Sequence, residues 1–212
     1  MSDISVQKKI GYTDKVIEHF TNPRNAGRIG DPDVTAKVGS VACGDLIKLY
    51  LKISPETERI EDIKFESYGC AANIATSSIM TEMAKGKTVE EAKKITFKDI
   101  AEELGGLPKI KMHCAVLSST GLDVALLKYE AKRGIVKIDE AFVRRILRGV
   151  LDPIEGTDIV SAGILEGVNI DGKTITIKLN VKEGSELAKS IEEDTRESFE
   201  GLDVDLKFVF SS

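Results

Sequence analysis

Three cysteines are the residues of this sequence best suited to chemistry. Each lies where the backbone is expected to change direction: Cys43 in VACGD before a strand, Cys70 in YGCAAN between a strand and a helix, and Cys114 in MHCAV at the start of a helix. A helix N-terminus carries partial positive charge and unpaired N–H groups, so it favours a thiolate over a thiol. Cys70 and Cys114 are therefore candidates for reactive or metal-bound sulfur.

Two further polar residues adjoin these cysteines. Asp45 follows Cys43 by two positions, and His113 directly precedes Cys114. Three thiolates with one carboxylate or imidazole make the four ligands that tetrahedral zinc or an iron-sulfur cluster needs, and thiolates prefer these over magnesium or calcium. The spacings of 27 and 44 residues match no CxxC clamp, so three buried, unreactive cysteines remain an alternative. A Cys–His nucleophile pair is the weaker reading, because a direct sequence neighbour is not positioned as a base.

Composition sets the class of protein. The chain has 212 residues, of which 42% are hydrophobic and 31% charged, which is typical of one large or two small globular domains and argues against disorder. The sequence has no uncharged apolar run near the roughly 20 residues of a membrane span, and its N-terminus has no apolar signal region. We therefore expect a cytoplasmic, unprocessed protein whose thiols stay reduced.

Charge is distributed unevenly along the chain. Residues 1–134 carry 20 Lys+Arg and 19 Asp+Glu, a net of +1, whereas residues 135–212 carry 10 and 16, a net of −6. An acidic half disfavours general binding of nucleic acid, which needs a basic face. The shift in composition predicts two domains, 1–134 and 135–212.

After a short first helix, the pattern of residues 1–134 predicts strands followed by helices. The pattern predicts a short helix over residues 12–21, strands over 46–53 and 60–67, and then helices over 71–85 and 89–94, another from Thr96, and a last from about residue 112. This order favours an α+β domain, a small antiparallel sheet packed by helices. His19, in the first helix, is expected to have a packing or surface role.

In the second part, residues 135–212, the order of predicted helices and strands is different. An apolar helix stripe from Val143 to Val150 precedes a turn-rich segment, then strands over 164–170 and 173–180 around Asp171-Gly172, a helix over 185–198 and a strand over 202–210. These elements predict a second small α/β domain. The acidic residues of the turn-rich segment are expected to serve turns and caps; they are Asp152, Glu155 and Asp158.

Four motifs of the first part together resemble a known family. In order, YTDKVIEHFTNPRNAG, ACGD, YGCAANIATSS and LPKIKMHC are similar to the IscU and NifU N-terminal family of iron-sulfur scaffold proteins, over residues 12–133. The resemblance implies that Cys43, Cys70 and Cys114 hold a 2Fe-2S cluster. It also implies that Asp45 or His113 supplies the fourth ligand.

The resemblance further implies a scaffold and not a turnover enzyme. A cysteine desulfurase would deliver sulfur to a thiolate, for which we expect Cys114 on a mobile loop. An iron donor and ferredoxin would supply iron and electrons, and the labile cluster would pass to apo acceptor proteins. The cluster is expected either within one chain or bridging two in a homo-oligomer.

Two kinds of zinc protein are alternatives to an iron-sulfur scaffold. The SufU branch of the same family is a zinc-dependent sulfurtransferase, but it usually has an insertion between its second and third cysteines and lacks the histidine, whereas His113 is present here. The second alternative is a structural zinc module that acts as an adaptor. The family's chaperone-binding segment is usually LPPVK, and LPKIK in this chain disfavours recognition by an Hsp70-type chaperone.

The second part, residues 135–212 and below called the tail, resembles a second family. LRGVLDPIEGTDIVSAGILEGVNIDGKTITIKL looks like the small α/β family that includes SufT and related iron-sulfur maturation factors. Members often carry a cysteine in a GCP-like segment, where this chain has Gly184-Ser185-Glu186. The tail is therefore expected to dock a partner and not to bind a cluster.

Overall fold

In the computed structural model, which describes residues 11–40 and 44–211, the strands form two three-stranded sheets. The N-terminal unit, residues 11–134, contains α1 (Asp14–Thr21), β1 (Val34–Ser40), β2 (Asp45–Ile53), β3 (Ile60–Tyr68), α2 (Ala71–Ala84), α3 (Val89–Ala92), α4 (Phe97–Glu103), a 3₁₀ turn (Lys109–Lys111) and α5 (Met112–Lys132). The C-terminal unit, residues 135–211, contains α6 (Glu140–Leu147), β4 (Leu165–Asp171), β5 (Thr174–Leu179), α7 (Glu186–Ser198) and β6 (Asp205–Phe210).

The first sheet is an antiparallel meander in the order β1-β2-β3. Its apolar face is formed by pairs such as Val38 with Ile47 and Leu49 with Phe65, and α2 and α5 cover it. The strand β1 was not predicted. Tyr50 is buried on the other face of the sheet, where its hydroxyl donates to Glu66 at 2.6 Å.

Three helices of the N-terminal unit, α1, α3 and α4, begin at side-chain caps. Thr13 accepts a hydrogen bond from the backbone at the start of α1, and Thr88 and Thr96 form capping boxes with Glu91 and Asp99, satisfying backbone N–H groups that the first turn leaves free. In α1, His19 is buried with its Nδ1 2.9 Å from a serine hydroxyl of α2. The packing role predicted for it is confirmed.

The long helix α5 runs through the core of the N-terminal unit. With the 3₁₀ turn before it, it is long and apolar enough to cross a membrane by length and composition, but over half of its apolar stretch is buried inside the protein. Gly121 lies where α5 meets the sheet, and a Cβ there would come within 3.2 Å of Val38 and Leu49. These features mark a core helix.

The C-terminal unit is a β4–β5 hairpin with β6 added in parallel beside β5. Between β5 and β6 the chain forms α7, which begins at Ser185, whose hydroxyl caps the helix. The apolar face of this sheet packs with α6 and α7. Together the two units confirm the predicted α+β domain followed by a small α/β region.

Seven residues, 133–139, connect α5 to α6, and the two units pack together along the β1 edge of the first sheet. The Gly39 N–H donates to the Gly149 carbonyl at 2.8 Å, and Lys37 Nζ lies 2.8 Å from Asp194 Oδ1 on α7. The buried apolar residues of both units form one continuous cluster. Division into domains 1–134 and 135–212 therefore stays a prediction.

Lys128 of α5 is buried near the junction, with 1% of its surface exposed. Its Nζ has no hydrogen-bond partner among the described residues. Burial lowers the pKa of Lys128 to about 8, although the negative charge of Glu200 in the C-terminal unit acts in the opposite direction.

The contact at Gly149 leads to a prediction about stability. A Cβ at Gly149 would lie 2.8 Å from Val38 Cγ1 and 3.2 Å from the carbonyl oxygen of Ile146, so Gly149→Ala forces the units apart or strains α6. We expect a loss of about 1–3 kcal/mol in the free energy of unfolding, measured by urea denaturation. Gly167→Ala is the control, because nothing lies within 4 Å of a Cβ there; equal stability of the two variants would contradict the packing described.

Candidate metal centre

Two of the three cysteines meet at the starts of two helices. Cys70 is the N-cap residue of α2 and is half-buried, while Cys114 lies in the first turn of α5 and is fully buried. Their sulfur atoms are 3.7 Å apart, much farther than the roughly 2.05 Å of a disulfide. Cys43 lies outside the described residues. The expectation that Cys114 is on a mobile loop is wrong, because it belongs to a core helix.

Small polar residues bring the two helices together. Thr76, Ser77 and Ser118 are fully buried where α2 faces α5. The Ser118 hydroxyl donates to Thr76 Oγ1 at 2.9 Å, and the Thr76 hydroxyl is 3.3 Å from the carbonyl oxygen of Cys114. Short hydroxyl side chains allow close approach while satisfying their own hydrogen bonds, so they fix the separation of the two sulfurs.

Asp45 lies at the first position of β2, beside the cysteine pair. Its Oδ1 accepts from the backbone N–H of Cys70 and from Asn73 Nδ2, both at 3.3 Å. On the other side, its Oδ2 is 3.2 Å from His113 Nε2. One carboxylate thus contacts the N-termini of both cysteine-bearing helices.

Gly69 makes room for this carboxylate. A Cβ at this position would lie 2.4 Å from both Asp45 Oδ1 and Asn73 Nδ2. A side chain at residue 69 would therefore displace Asp45 from its hydrogen bonds. This explains on steric grounds why the residue before Cys70 is glycine.

The four described residues predicted for the site are brought together. The potential ligand atoms of Asp45, His113 and Cys114 lie within 4.8 Å of one another, and Cys70 adjoins Cys114. The Asp45 side chain is 18% exposed and that of His113 is 56% exposed. Two thiols, a carboxylate and an imidazole form a donor set that suits zinc or an iron-sulfur cluster.

The two thiols differ in their affinity for a proton. The pKa of Cys70 is lowered to about 5, first because the Cys114 thiol donates to it, and then because the sulfur lies near the backbone N–H of Asn73 and the Lys111 ammonium. The pKa of Cys114 is raised far above its usual range by the same hydrogen bond and by burial. In the metal-free chain the pair therefore shares one proton, held on Cys114.

Three residues of this site were not predicted from the sequence. Asn73 contacts both Asp45 and Cys70, and its Oδ1 is buried without a partner among the described residues. Tyr12 and Lys111 lie near the Cys70 sulfur, and the positive charge of Lys111 contributes to the lowered pKa of Cys70. Asn73 carried the best signal, as an amide in the first turn of a helix whose N-cap is a cysteine.

This fold and donor set define a small α+β protein with a thiolate-rich site, and comparison with known proteins gives the family. Residues 11–136 match the family model of the NifU-like N-terminal domain, and residues 140–204 match the model described as an iron-sulfur cluster assembly protein. The chain belongs to the NifU-like N-terminal domain family.

Individual relatives align with the N-terminal unit. The iron-sulfur cluster assembly scaffold protein IscU 1 of Archaeoglobus fulgidus is 57% identical over 129 residues, covering 61% of this chain and 82% of the relative. IscU of Azotobacter vinelandii is 48% identical over 130 residues, 60% of this chain and all of the relative. A solved SufU structure from Fervidobacterium islandicum aligns at 25% identity over 54% of this chain and 96% of its own, with a TM-score of 0.45, which is too low to bear on the branch of the family.

The Cys70–Cys114 pair leads to a prediction about reactivity. In the metal-free chain, alkylation of Cys70 by iodoacetamide should stay nearly constant from pH 8 to pH 6 and fall as pH passes through about 5, because only the thiolate attacks. Peptide mass spectrometry gives the rate at each cysteine.

Cys114→Ala is the matched variant for this experiment. It removes the hydrogen bond that contributes most to the lowered pKa of Cys70, so the midpoint of the profile should move to higher pH. A Cys70 profile centred near the ordinary thiol pKa of about 8.5 in the unaltered chain would contradict the described pair.

Proposed function

We propose that this chain is a scaffold that accepts sulfur from a cysteine desulfurase, assembles a labile 2Fe-2S cluster and transfers it to apo proteins. The family membership of residues 11–136 supports the general role of scaffold. Cys43, Cys70 and Cys114 are the proposed sulfur ligands, and Asp45 or His113 the fourth. The cluster is the cargo of this protein, so the chain acts as a carrier and not as a turnover enzyme.

The observation that carries the proposal is the separation of the two sulfurs. Two sulfur ligands bound at about 2.3 Å to one tetrahedral metal ion lie roughly 3.8 Å apart. The Cys70 and Cys114 sulfurs are already 3.7 Å apart. The pair is therefore preorganised to share one iron atom, with little movement of α2 or α5.

Sulfur delivery requires a free thiolate. In the proposed step the thiolate attacks the outer sulfur of the desulfurase persulfide; a new S–S bond forms here and the desulfurase thiolate leaves. Ferrous iron and ferredoxin then supply two electrons to each sulfane sulfur, which becomes sulfide. Of the two described cysteines, Cys70 is the more accessible and the more acidic, so it replaces Cys114 as the proposed acceptor.

The fourth ligand is proposed to be the exchangeable one. Without a cluster, Asp45 and His113 face each other at 3.2 Å, so either must leave the other to bind iron. A carboxylate or imidazole is a harder ligand than a thiolate and is replaced more easily at an iron-sulfur centre. Release to apo acceptor proteins, which we propose occurs in the cytoplasm, would begin at this position.

Anaerobic reconstitution tests the proposal. The chain incubated with a cysteine desulfurase, L-cysteine, ferrous iron and a reductant should develop the visible absorption of a 2Fe-2S cluster, with iron and sulfide in equal amounts. Cys70→Ser should abolish the colour, whereas Ser119→Ala, a change at a hydroxyl bonded to Val116 of its own helix, should not. A colourless product with one zinc per chain would contradict the scaffold.

A zinc-dependent sulfurtransferase of the SufU type is the second candidate. The same 3.7 Å separation fits zinc as well as iron, and the low pKa of Cys70 suits a thiolate that accepts sulfur. This candidate predicts that zinc-loaded protein accelerates desulfurase turnover and that no cluster forms, so the reconstitution experiment separates the two.

Asp45 gives a further test of the scaffold. Asp45→Ala removes the candidate exchangeable ligand and the acceptor for the Cys70 N–H and Asn73, and we expect slower transfer of a reconstituted cluster to apo-ferredoxin. His113→Ala is the parallel variant, because it removes the other candidate and leaves those two hydrogen bonds. Transfer by Asp45→Ala at the unaltered rate would count against the proposed role.

A further inference from the structure

A cavity of about 550 Å³ lies between the candidate metal centre and the C-terminal unit. On one side its lining comes from the N-terminal unit, and on the other from the segment that follows α6. The lining residues are Asp45, His113, Val116, Leu117 and Thr120, and opposite them Arg148, Leu151 and residues 155–158. The candidate fourth ligands, Asp45 and His113, thus line one side of the cavity. The segment Arg148–Asp158 of the C-terminal unit forms the opposite wall.

Hydrogen bonds hold this wall in place. Within the segment, the Asp152 N–H donates to the Thr157 carbonyl at 2.8 Å and the Ile159 N–H to the Val150 carbonyl at 3.0 Å. The Asp158 carboxylate accepts from the Val160 N–H at 3.1 Å, which confirms the turn role predicted for it. At its start the segment is joined to β1 through Gly149.

The order of the strands gives the site two unlike sides. Asp45 begins the central strand, β2, and the C-terminal unit occupies the side of β1. On the side of β3, Tyr68 is 64% exposed directly before Gly69 and Cys70. A protein surface can therefore approach the sulfurs from the β3 side, whereas on the β1 side the described residues of the C-terminal unit cover the site up to the cavity.

The charge of the lining favours one kind of small solute. The lining residues include three with carboxylates, Asp45, Glu155 and Asp158, and one with a guanidinium, Arg148. Their combined formal charge is negative, which raises the local concentration of cations and lowers that of anions such as sulfide. The volume accommodates a hydrated metal ion or a small reagent but not the surface of a protein.

We propose that Arg148–Asp158 forms a size and charge filter on the assembly site: hydrated ferrous iron reaches Asp45 and His113 through the cavity, while protein partners are confined to the β3 side. This inference rests on the proposed scaffold function for its cargo and partners. The cavity itself can be tested without any cluster.

The first test uses the metal-free chain and its two histidines. Diethyl pyrocarbonate, a small neutral reagent, should modify His113, while buried His19 serves as an internal reference. Thr120→Trp fills the cavity from α5 and should slow modification of His113 several-fold. Ser119→Trp is the matched control, because its position on the same helix does not line the cavity. Alkylation of Cys70 and thermal unfolding confirm that both variants are folded.

The second test separates charge from size. Glu155→Gln should slow the uptake of ferrous iron by the metal-free chain under anaerobic conditions, and Arg148→Gln should accelerate it, both effects decreasing at high salt. At pH 8, where an ordinary imidazole is neutral, neither variant should change carbethoxylation of His113, because that reagent carries no charge. Equal iron uptake by the two variants would overturn the proposed charge selection.

The third test uses reconstituted protein. Thr120→Trp should slow iron removal by bipyridine, a small chelator, and leave transfer to apo-ferredoxin unchanged. If transfer slows as much as chelation, proteins also use the β1 side and the filter is wrong. His113 modification that Thr120→Trp leaves unchanged would likewise overturn it. Failure of the scaffold function itself would appear differently, as absence of a cluster in the unaltered chain while the first two tests still give the expected results.

Discussion

The carboxylate of Asp45 is the constraint on which the site depends. It starts the central strand and contacts the backbone of Cys70, the amide of Asn73 and the ring of His113. Because these groups begin α2 and α5, one side chain sets both helix starts relative to the sheet. The absence of a side chain at Gly69 and the small buried hydroxyls between the helices serve the same arrangement.

This arrangement has a chemical consequence for the metal-free state. Two thiols share one proton, and a carboxylate and an imidazole face each other, so most of the potential ligands already have polar partners within the protein. Buried polar groups that are paired cost little, whereas unpaired ones are destabilising. The site can therefore stay folded while empty, which the proposed loading and transfer of a cluster require.

Much of the fold could be predicted from local sequence patterns, because caps, turn residues and apolar spacing act over a few residues. The hairpin at Asp171-Gly172 and the capped helices are examples. Strand β1 was missed although Val34, Ala36 and Val38 alternate; its partner β2 and the helix α5 complete its burial. The predicted helix start at Cys114 is confirmed, but the expected mobile loop is wrong, because a short motif does not show how deeply a helix is packed.

The candidate site was predictable only in part. Residue types singled out Asp45, Cys70, His113 and Cys114, and the resemblance to a family joined them into one site, which spacing alone could not do across 69 residues of chain. Asn73 and Lys111 required the folded contacts of Cys70. The wall that the C-terminal unit adds could not be foreseen, because it depends on packing between units and not on any pattern within either one.

The seven-residue link between α5 and α6 has a further consequence, for stoichiometry. A short tether gives the attached unit an effective concentration of about millimolar or higher next to its binding surface. A few contacts such as the Lys37 ion pair and the Gly39 hydrogen bond then suffice to keep it in place, although each would be too weak to recruit a separate protein. Every copy of the site is thus made with its own wall, at a fixed ratio of one to one.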